Sequence, residues 1–229
     1  MNGMMFDAGP LISLTTNNLL WILKALKKET RGEFSIVSSV KRELVDHPLE
    51  TKKFKFEALQ VERLIEQGVL KLIDRPEYKS RALALLDLAN KIFWAQKNPI
   101  MLVQLGEIET IAAAVGLETN RIVMDERITR SLIEAPDQLQ EMMSRRLHTK
   151  LHVDTGRLDE FRAFTRHIEI IRSAELVTIA YEKGLLDEYI VNVPNAKKEL
   201  LESVLWGVKL NGCSISEEEI NSLVRMELK

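Results

Sequence analysis

The sequence contains a single cysteine, Cys213, so no disulfide can form within the chain. Because structural disulfides are typical of secreted proteins, we expect a reducing compartment and predict a cytoplasmic protein. The first residues lack a basic segment and reach an acid at Asp7, which is unlike a signal peptide. No apolar run approaches the roughly 18 residues of a membrane-spanning helix, so we expect no contact with the membrane.

Neither sign of charge prevails, since 32 basic residues face 34 acidic ones and the net charge is −2. This balance argues against a broadly basic protein that coats nucleic acid, although it permits a local basic groove. The P-loop and the glycine-rich dinucleotide motif are also missing, which makes a nucleotide-binding or phosphatase-like domain the least favoured class. With 229 residues, 45% of them hydrophobic, the chain can bury the core of one domain with an appendage.

Short apolar runs alternate with segments of helical spacing up to residue 136, which predicts an α/β fold with a parallel sheet covered by helices on both faces. Helices are further predicted from Arg81 to Trp94 and from Gln138 to Leu151. We predict an α/β core in residues 1–136, the remainder of the α/β domain in 137–193, and a C-terminal helical hairpin in 194–229. The predicted strands are residues 3–7, 34–37, 69–73, 121–124 and 167–171.

Acidic residues stand where the predicted strands end or where helices begin: Asp7, Glu43, Glu107, Glu109 and Asp125. Carboxyl ends of parallel strands share one edge of a sheet, so these acids would meet there. Like charges repel unless a cation lies between them. Carboxylate oxygens are the ligands of hard cations, so the sequence predicts a site for Mg²⁺ or Mn²⁺.

Simpler roles stay open for some of these acids. Asp7 also suits the N-cap of a helix, and Glu43 suits a first-turn glutamate that favours the helix dipole. Glu107 and Glu109 are two residues apart and would point about 200° away from each other on a regular helix. They can therefore face one ion only if Glu107 lies in the turn before the helix.

The segment Lys52–Phe56 mixes three lysines with two phenylalanines. This composition suits a contact with nucleic acid, where bases stack on aromatic rings. It also suits an amphipathic edge whose lysine stems cover apolar surface, and that interpretation is the favoured one.

Four segments together resemble the PIN domain family: FDAGPLISL from Phe6, VKREL from Val40, GEIETIAAAVGL from Gly106 and IVMDERITR from Ile122. The likeness is closest to the stand-alone prokaryotic PIN proteins related to VapC toxins. The GEIET segment is also similar to the GEAEA motif of the flap-endonuclease type. The resemblance covers residues 4–136.

This resemblance implies a three-layer α/β/α sandwich and a metal-dependent endoribonuclease that hydrolyses phosphodiester bonds of single-stranded RNA, in some relatives as a toxin. A homodimer and an antitoxin-type protein partner are implied as well. The alternative is a catalytically inactive PIN fold that binds RNA or protein. Asp7, Glu43, Glu107 and Asp125 correspond to the four acids of the family, and Glu109 to the second glutamate of GEAEA.

Basic residues near this edge would hold the phosphodiester backbone, and Arg127 and Arg130 are the candidates. Either arginine could equally pair with one of the metal-binding carboxylates. The sequence leaves these two roles open.

Overall fold

A parallel sheet of five short strands forms the centre of the computed structural model, which describes residues 3–228. Such strands are rich in apolar residues because both faces of the sheet are covered. The strands, including those of a smaller second sheet, are β1 (Gly3–Phe6), β2 (Glu33–Val37), β3 (Leu70–Ile73), β4 (Phe93–Ala95), β5 (Asn98–Pro99), β6 (Arg121–Val123), β7 (Leu151–Val153) and β8 (Glu169–Ile171).

The central sheet has the order β3-β2-β1-β6-β8, and every neighbouring pair is parallel. The chain runs outward from β1 to β3, returns to the other side of β1, and continues through β6 to β8. The direction therefore reverses between β1 and β6. In open α/β sheets, ligands bind in the crevice that opens at the carboxyl ends of the strands at such a switch point.

Helices connect the strands and cover the sheet. They are α1 (Ala8–Thr16), α2 (Ile22–Thr30), α3 (Ser38–Lys41), α4 (His47–Glu50), α5 (Lys55–Glu66), α6 (Pro76–Ala89), α7 (Leu105–Gly116), α8 (Arg127–Glu134), α9 (Pro136–Arg146), α10 (Thr155–Thr165), α11 (Ser173–Glu182), α12 (Ala196–Leu210) and α13 (Glu217–Glu227). A π-helical segment, Arg42–Asp46, joins α3 to α4, and Asp187–Tyr189 forms a 3₁₀ turn.

The chain adds strands in one direction from β1 to β3 and in the opposite direction from β3 through β6 to β8, and this places the helices on both faces of the sheet. Right-handed connections place the helices that follow β1 and β2 on one face, and those that follow β3 and β6 on the other. Accordingly α7 packs against β1, β2 and β6, whereas α1 packs against α5, α11 and α12. The predicted α/β class and the parallel central sheet are confirmed, and the arrangement is consistent with three layers.

The predicted helix from Arg81 to Trp94 is wrong at its end, because α6 stops at Ala89 and Phe93 begins a strand. The side chain of Asn90 ends the helix: its Nδ2 donates to Val103 O at 3.0 Å, and its Oδ1 accepts from the Leu102 N–H at 2.7 Å. The predicted helix to Leu151 also ends early, at Arg146, and Leu151 lies in β7. Strands β5, β4 and β7 form the small antiparallel sheet, which the apolar pattern did not predict.

The chain ends in two helices, with α12 packed on α1 and α11 and with α13 packed on α12. Ser216 caps α13, since its Oγ accepts from the Glu219 N–H at 3.1 Å while Glu219 Oε2 accepts from the Ser216 N–H at 2.8 Å. Within residues 3–228, each helix is too short or too polar to cross a bilayer.

Candidate acidic site

Asp7 and Asp125 lie at the switch point of the sheet. Asp7 directly follows β1, and its backbone N–H donates to Val123 O at 2.9 Å, which fixes it beside the end of β6. Asp125 lies two residues after β6. Both side chains are buried, with exposed fractions of 6% and 2%. A Cβ on Gly9 would lie 3.4 Å from Asp125 Cβ and 3.8 Å from Asp7 Oδ2, so the first turn of α1 passes between the two acids.

Glu107 lies on the Asp7 side of this crevice, in the first turn of α7. Its Oε2 accepts a hydrogen bond from the backbone N–H of Gln104 at 3.3 Å and another from the hydroxyl of Thr129. These two donors belong to the start of α7 and to α8. They hold the carboxylate of Glu107 in one orientation.

Glu43 lies in the π-helical segment Arg42–Asp46, and a π turn in an otherwise α-helical stretch is often found at a functional site. Its Oε2 would lie 3.9 Å from a Cβ on Gly106, so the carboxylate reaches the start of α7. The buried hydroxyl of Ser39 borders the same space and has no hydrogen-bond partner among residues 3–228. We refer to Asp7, Glu43 and Glu107 as the acid cluster.

The surroundings of the acid cluster disfavour negative charge. Burial raises the pKa of Asp7 from 3.8 to about 7, and the charges of Glu107 and Glu43 add to the rise. The backbone N–H groups of Ala8 and Gly9 act in the opposite direction but do not offset it. Carboxyl groups that raise the pKa of one another in a crevice are typical of functional sites.

The two glutamates of the acid cluster respond in the same way as Asp7. Burial is the main cause that raises the pKa of Glu107, with contributions from Glu126 and Glu43, and the hydrogen bonds from Thr129 and Gln104 partly oppose it. Burial also raises the pKa of Glu43. A cation in this space would remove the repulsion between the three carboxylates.

Asp125 faces a different set of partners from Asp7. Its Oδ2 accepts from the hydroxyls of Ser13 at 2.9 Å and Ser173 at 2.8 Å, and its Oδ1 accepts from the Ser173 N–H at 2.8 Å. Asp125 therefore ties α1 and the start of α11 to the end of β6. Burial raises the pKa of the neighbouring Cys213 thiol to about 12, and the charge of Asp125 contributes, so this thiol stays protonated near neutral pH.

Glu109 points away from the acid cluster. Both Glu107 and Glu109 lie within α7, so the rotation of about 200° between them separates their carboxylates. Glu109 is buried, its Oε1 accepts from the hydroxyl of Ser38 at 3.2 Å, and it lines another cleft together with Lys79. The structure thus brings Glu107, but not Glu109, to Asp7.

The two candidate arginines differ in their surroundings. Arg127 is exposed in the first turn of α8, close in sequence to Asp125. Arg130 is half-buried; its Nη2 donates to Ser214 O at 3.4 Å, and its Nη1 lies 3.6 Å from Glu134. Of the two, Arg127 is the exposed arginine.

The partners of Asp125, Ser13 and Ser173, could not be predicted from the sequence, because they lie 112 and 48 positions from it. Arg172 was missed as well. Its Nη1 donates to Ser214 O at 3.0 Å and to Glu219 at 2.8 Å, which fastens the C-terminal hairpin beside the site. The one available signal was position, since Arg172 and Ser173 follow β8 as Asp7 follows β1.

A metal ion held directly by three side chains does not match the present geometry. Within residues 3–228, no three His, Cys, Asp or Glu side chains lie close enough together to ligate one ion. Mg²⁺ keeps several of its waters, however, and often binds through only one or two carboxylates. The donors of the acid cluster, all of them carboxylate oxygens, suit such a hydrated hard cation.

The chain matches no protein-family model, no curated protein and no solved structure in three comparisons. The resemblance to PIN domains therefore stays a prediction. Function is inferred from the side chains of the site themselves.

Proposed function

We propose that this protein is a metal-dependent endoribonuclease with a PIN-like three-layer fold that hydrolyses phosphodiester bonds of single-stranded RNA. The observation that carries the proposal is the acid cluster. Asp7, Glu43 and Glu107 come from distant parts of the chain and lie beside the switch point of the sheet. Burial raises the pKa of all three, and repulsion by neighbouring acids adds to the rise for Asp7 and Glu107. Buried carboxylates that repel one another lower the stability of the fold, and such a cost is typical of a site that binds a ligand.

The ligand we propose is Mg²⁺ or Mn²⁺, held by Asp7 and Glu107 with Glu43 beside them. The bound ion would lower the pKa of a coordinated water and offset charge on the scissile phosphate. Ser39 supports a polar ligand in this space, because its buried hydroxyl has no partner among the described residues 3–228. Asp125 would act as a positioning residue, since its oxygens already accept hydrogen bonds from Ser13 and Ser173.

Other side chains would orient the metal-binding carboxylate, accept the proton and hold the substrate. Thr129 and the Gln104 N–H orient Glu107, so its carboxylate need not reorganise when the ion binds. Glu43 is exposed to solvent and its pKa is raised, and we assign it the role of the base that accepts the proton of the attacking water. Arg127, exposed at the same edge of the sheet, would contact a phosphate of the substrate.

A second candidate function is binding of RNA or protein without catalysis. The hydrogen bonds that occupy Asp125 favour it, because they give this acid a structural role that needs no metal. The two candidates differ in one observable, the cleavage of RNA.

The test is incubation of the purified full chain with a labelled pool of single-stranded RNA, in Mg²⁺, in Mn²⁺ and in EDTA. We expect cleavage only with a metal, and we expect Asp7→Asn and Glu107→Gln to abolish it while the far-ultraviolet circular dichroism stays unchanged. Removal of one transition-state interaction of this kind typically costs about 10²–10³ in rate.

The matched control is Asp154→Asn, because Asp154 caps α10 outside the acid cluster and asparagine caps helices about as well. This variant should cleave at the wild-type rate. Cleavage that persists in Asp7→Asn, or in EDTA, would exclude the proposed role of the acid cluster. Tight RNA binding by the wild type without any cleavage would favour the second candidate function.

A further inference from the structure

The segment Lys52–Phe56, between α4 and the first turn of α5, exposes two aromatic rings. Phe54 is 50% exposed and Phe56 is 71% exposed, although a phenylalanine gains stability mainly by being buried. Leu59, one turn further along α5, is 55% exposed. An exposed apolar surface of this kind on a folded domain marks a place where another molecule binds.

The backbone of Phe54 adds a second observation. Phe54 has a φ of 62°, in the left-handed region that side chains other than glycine seldom adopt. Strained backbone of this kind persists where the surrounding structure enforces it, and it is concentrated at binding sites. The ring of Phe54 is exposed in this conformation, and Lys53 Nζ lies 4.6 Å from its centroid.

Positive charge surrounds these rings. The side chains of Lys52, Lys53 and Lys55 are exposed, and within residues 3–228 none of the three forms an ion pair. The nearby lysine that is neutralised, Lys41, instead pairs with Asp46 and Glu62. Free cations beside exposed aromatic rings match a ligand that carries both phosphates and flat rings.

This surface adjoins the acid cluster. Phe54, Glu43 and Glu57 line the same recess, a mainly apolar depression of about 100 Å³ that Leu11 and Val61 also line. A recess of this size is too small for the continuous groove in which the helix of a partner protein docks. It suits the edge of one planar base instead.

We propose that residues 52–56 form a binding platform for single-stranded polynucleotide, with bases stacked on Phe54 and Phe56 and phosphates held by Lys52, Lys53 and Lys55. The platform would deliver the strand past the recess to Glu43. The proposal rests on the proposed function for the cleavage step after binding, but binding itself needs neither the metal nor the acid cluster.

The experiment measures binding in EDTA, so that cleavage cannot contribute. The probe is a fluorescently labelled single-stranded RNA of about 12 nucleotides, within the range that one such platform covers. Fluorescence anisotropy gives the dissociation constant of the full chain. A DNA strand of the same sequence shows whether the platform distinguishes the sugar.

The aromatic variants are Phe54→Leu and Phe54→Tyr. Leucine keeps apolar bulk without a ring, so we expect affinity about tenfold weaker, whereas tyrosine keeps the stacking face and should retain the wild-type affinity. Equal affinity for the leucine and wild-type proteins would overturn the stacking role. Loss of affinity in both variants would overturn it too, because the ring would then not be the feature that matters.

The lysine variant is Lys53→Gln, with Lys28→Gln as its control. Lys28 is also exposed but lies near the C-terminus of α2, which leads into the amino end of β2, away from the carboxyl ends of the strands. Removal of one lysine that binds a phosphate should lower the slope of log affinity against log salt by about 0.7, and only the first variant should show this change. An unchanged slope in Lys53→Gln would overturn the role of this lysine in holding phosphate.

Failure of this proposal can be told apart from failure of the proposed function. If the wild type cleaves RNA and the Phe54 and Lys53 variants bind RNA as tightly as the wild type, the nuclease proposal stands and the platform proposal is overturned. Binding that depends on the platform, without cleavage in Mg²⁺, supports the platform and overturns the nuclease. A wild type that binds no RNA but self-associates, with self-association lost in Phe56→Ala, assigns the surface to a second copy of the chain and overturns the platform.

Discussion

Replacement of Asp7 by asparagine should make the protein more resistant to unfolding at alkaline pH. In the folded chain the pKa of Asp7 is about 7, whereas an exposed aspartate has a value near 3.8. The folded state therefore binds the proton of Asp7 more tightly than the unfolded state, and the free energy of unfolding falls as pH rises from about 4 to about 7. The asparagine side chain carries no titratable group, so the variant lacks this fall.

The magnitude is set by the two pKa values. At 1.36 kcal/mol per pKa unit, a rise from 3.8 to about 7 makes the ionised form of Asp7 cost about 4 kcal/mol of stability above neutral pH. The difference in free energy of unfolding between the variant and the wild type should therefore grow by about 4 kcal/mol between about pH 4 and about pH 8. Any effect of the new amide on the free energy of unfolding that does not depend on pH is the same at both pH values, so it cancels in this comparison.

The assay is urea denaturation of both proteins in EDTA across this pH range, with Asp154→Asn as the control for an aspartate outside the acid cluster. A difference that stays constant with pH would refute the account of Asp7. A second series adds Mg²⁺ at pH 8, where the ion should stabilise the wild type by about 2.7 kcal/mol at a concentration 100 times its dissociation constant. The same addition should leave Asp7→Asn unchanged.

Two further substitutions test the packing around the site by their denaturation midpoints. Ser173→Ala removes a hydroxyl donor from buried Asp125, so we expect a loss of about 1–3 kcal/mol, and an unchanged midpoint would show that this bond contributes nothing. Gly116→Ala places a Cβ against a ring carbon of Tyr78, closer than side-chain atoms can approach, so we expect a loss of about 1–3 kcal/mol from overpacking, although alanine favours helices more than glycine. A more stable Gly116→Ala protein would contradict that packing.

The central sheet could be predicted because each of its strands interrupts a helical pattern with a short apolar run. Met5 and Phe6, for example, are almost fully buried in β1, as an apolar run in a parallel sheet requires. The start of α13 is likewise encoded locally, because Ser216 and Glu219, three residues apart, form a capping box. Local chemistry was sufficient for these elements.

The small second sheet could not be predicted from the same pattern. Its strands have two or three residues each, too few to show an alternation of period two. Phe93 continues the apolar stripe of α6 in sequence, and only the hydrogen bonds of Asn90 to Val103 show that the helix has ended. That information depends on a contact 13 residues away.

Some residues of the candidate site could likewise be predicted from the sequence, and others could not. An acid that directly follows an apolar strand, such as Asp7, can be recognised in the sequence. Its position at the carboxyl ends of the strands can be predicted as well. The partners of Asp125 do not, because Ser13 and Ser173 approach it only when three distant elements have packed together. Sequence alone also left open whether Glu107 and Glu109 could face one ion together. The start of α7 at Leu105 decides this, because it places both residues within the helix.

The most direct test of the nuclease proposal is the crystal structure of the full chain soaked in Mn²⁺, with the ion located by its anomalous scattering. We predict one peak bounded by Asp7, Glu43 and Glu107, which is lost in crystals of Asp7→Asn. A site without any peak at saturating Mn²⁺, or one filled by an arginine or lysine side chain that bonds to these carboxylates, would contradict the central claim that the acid cluster exists to hold a metal ion.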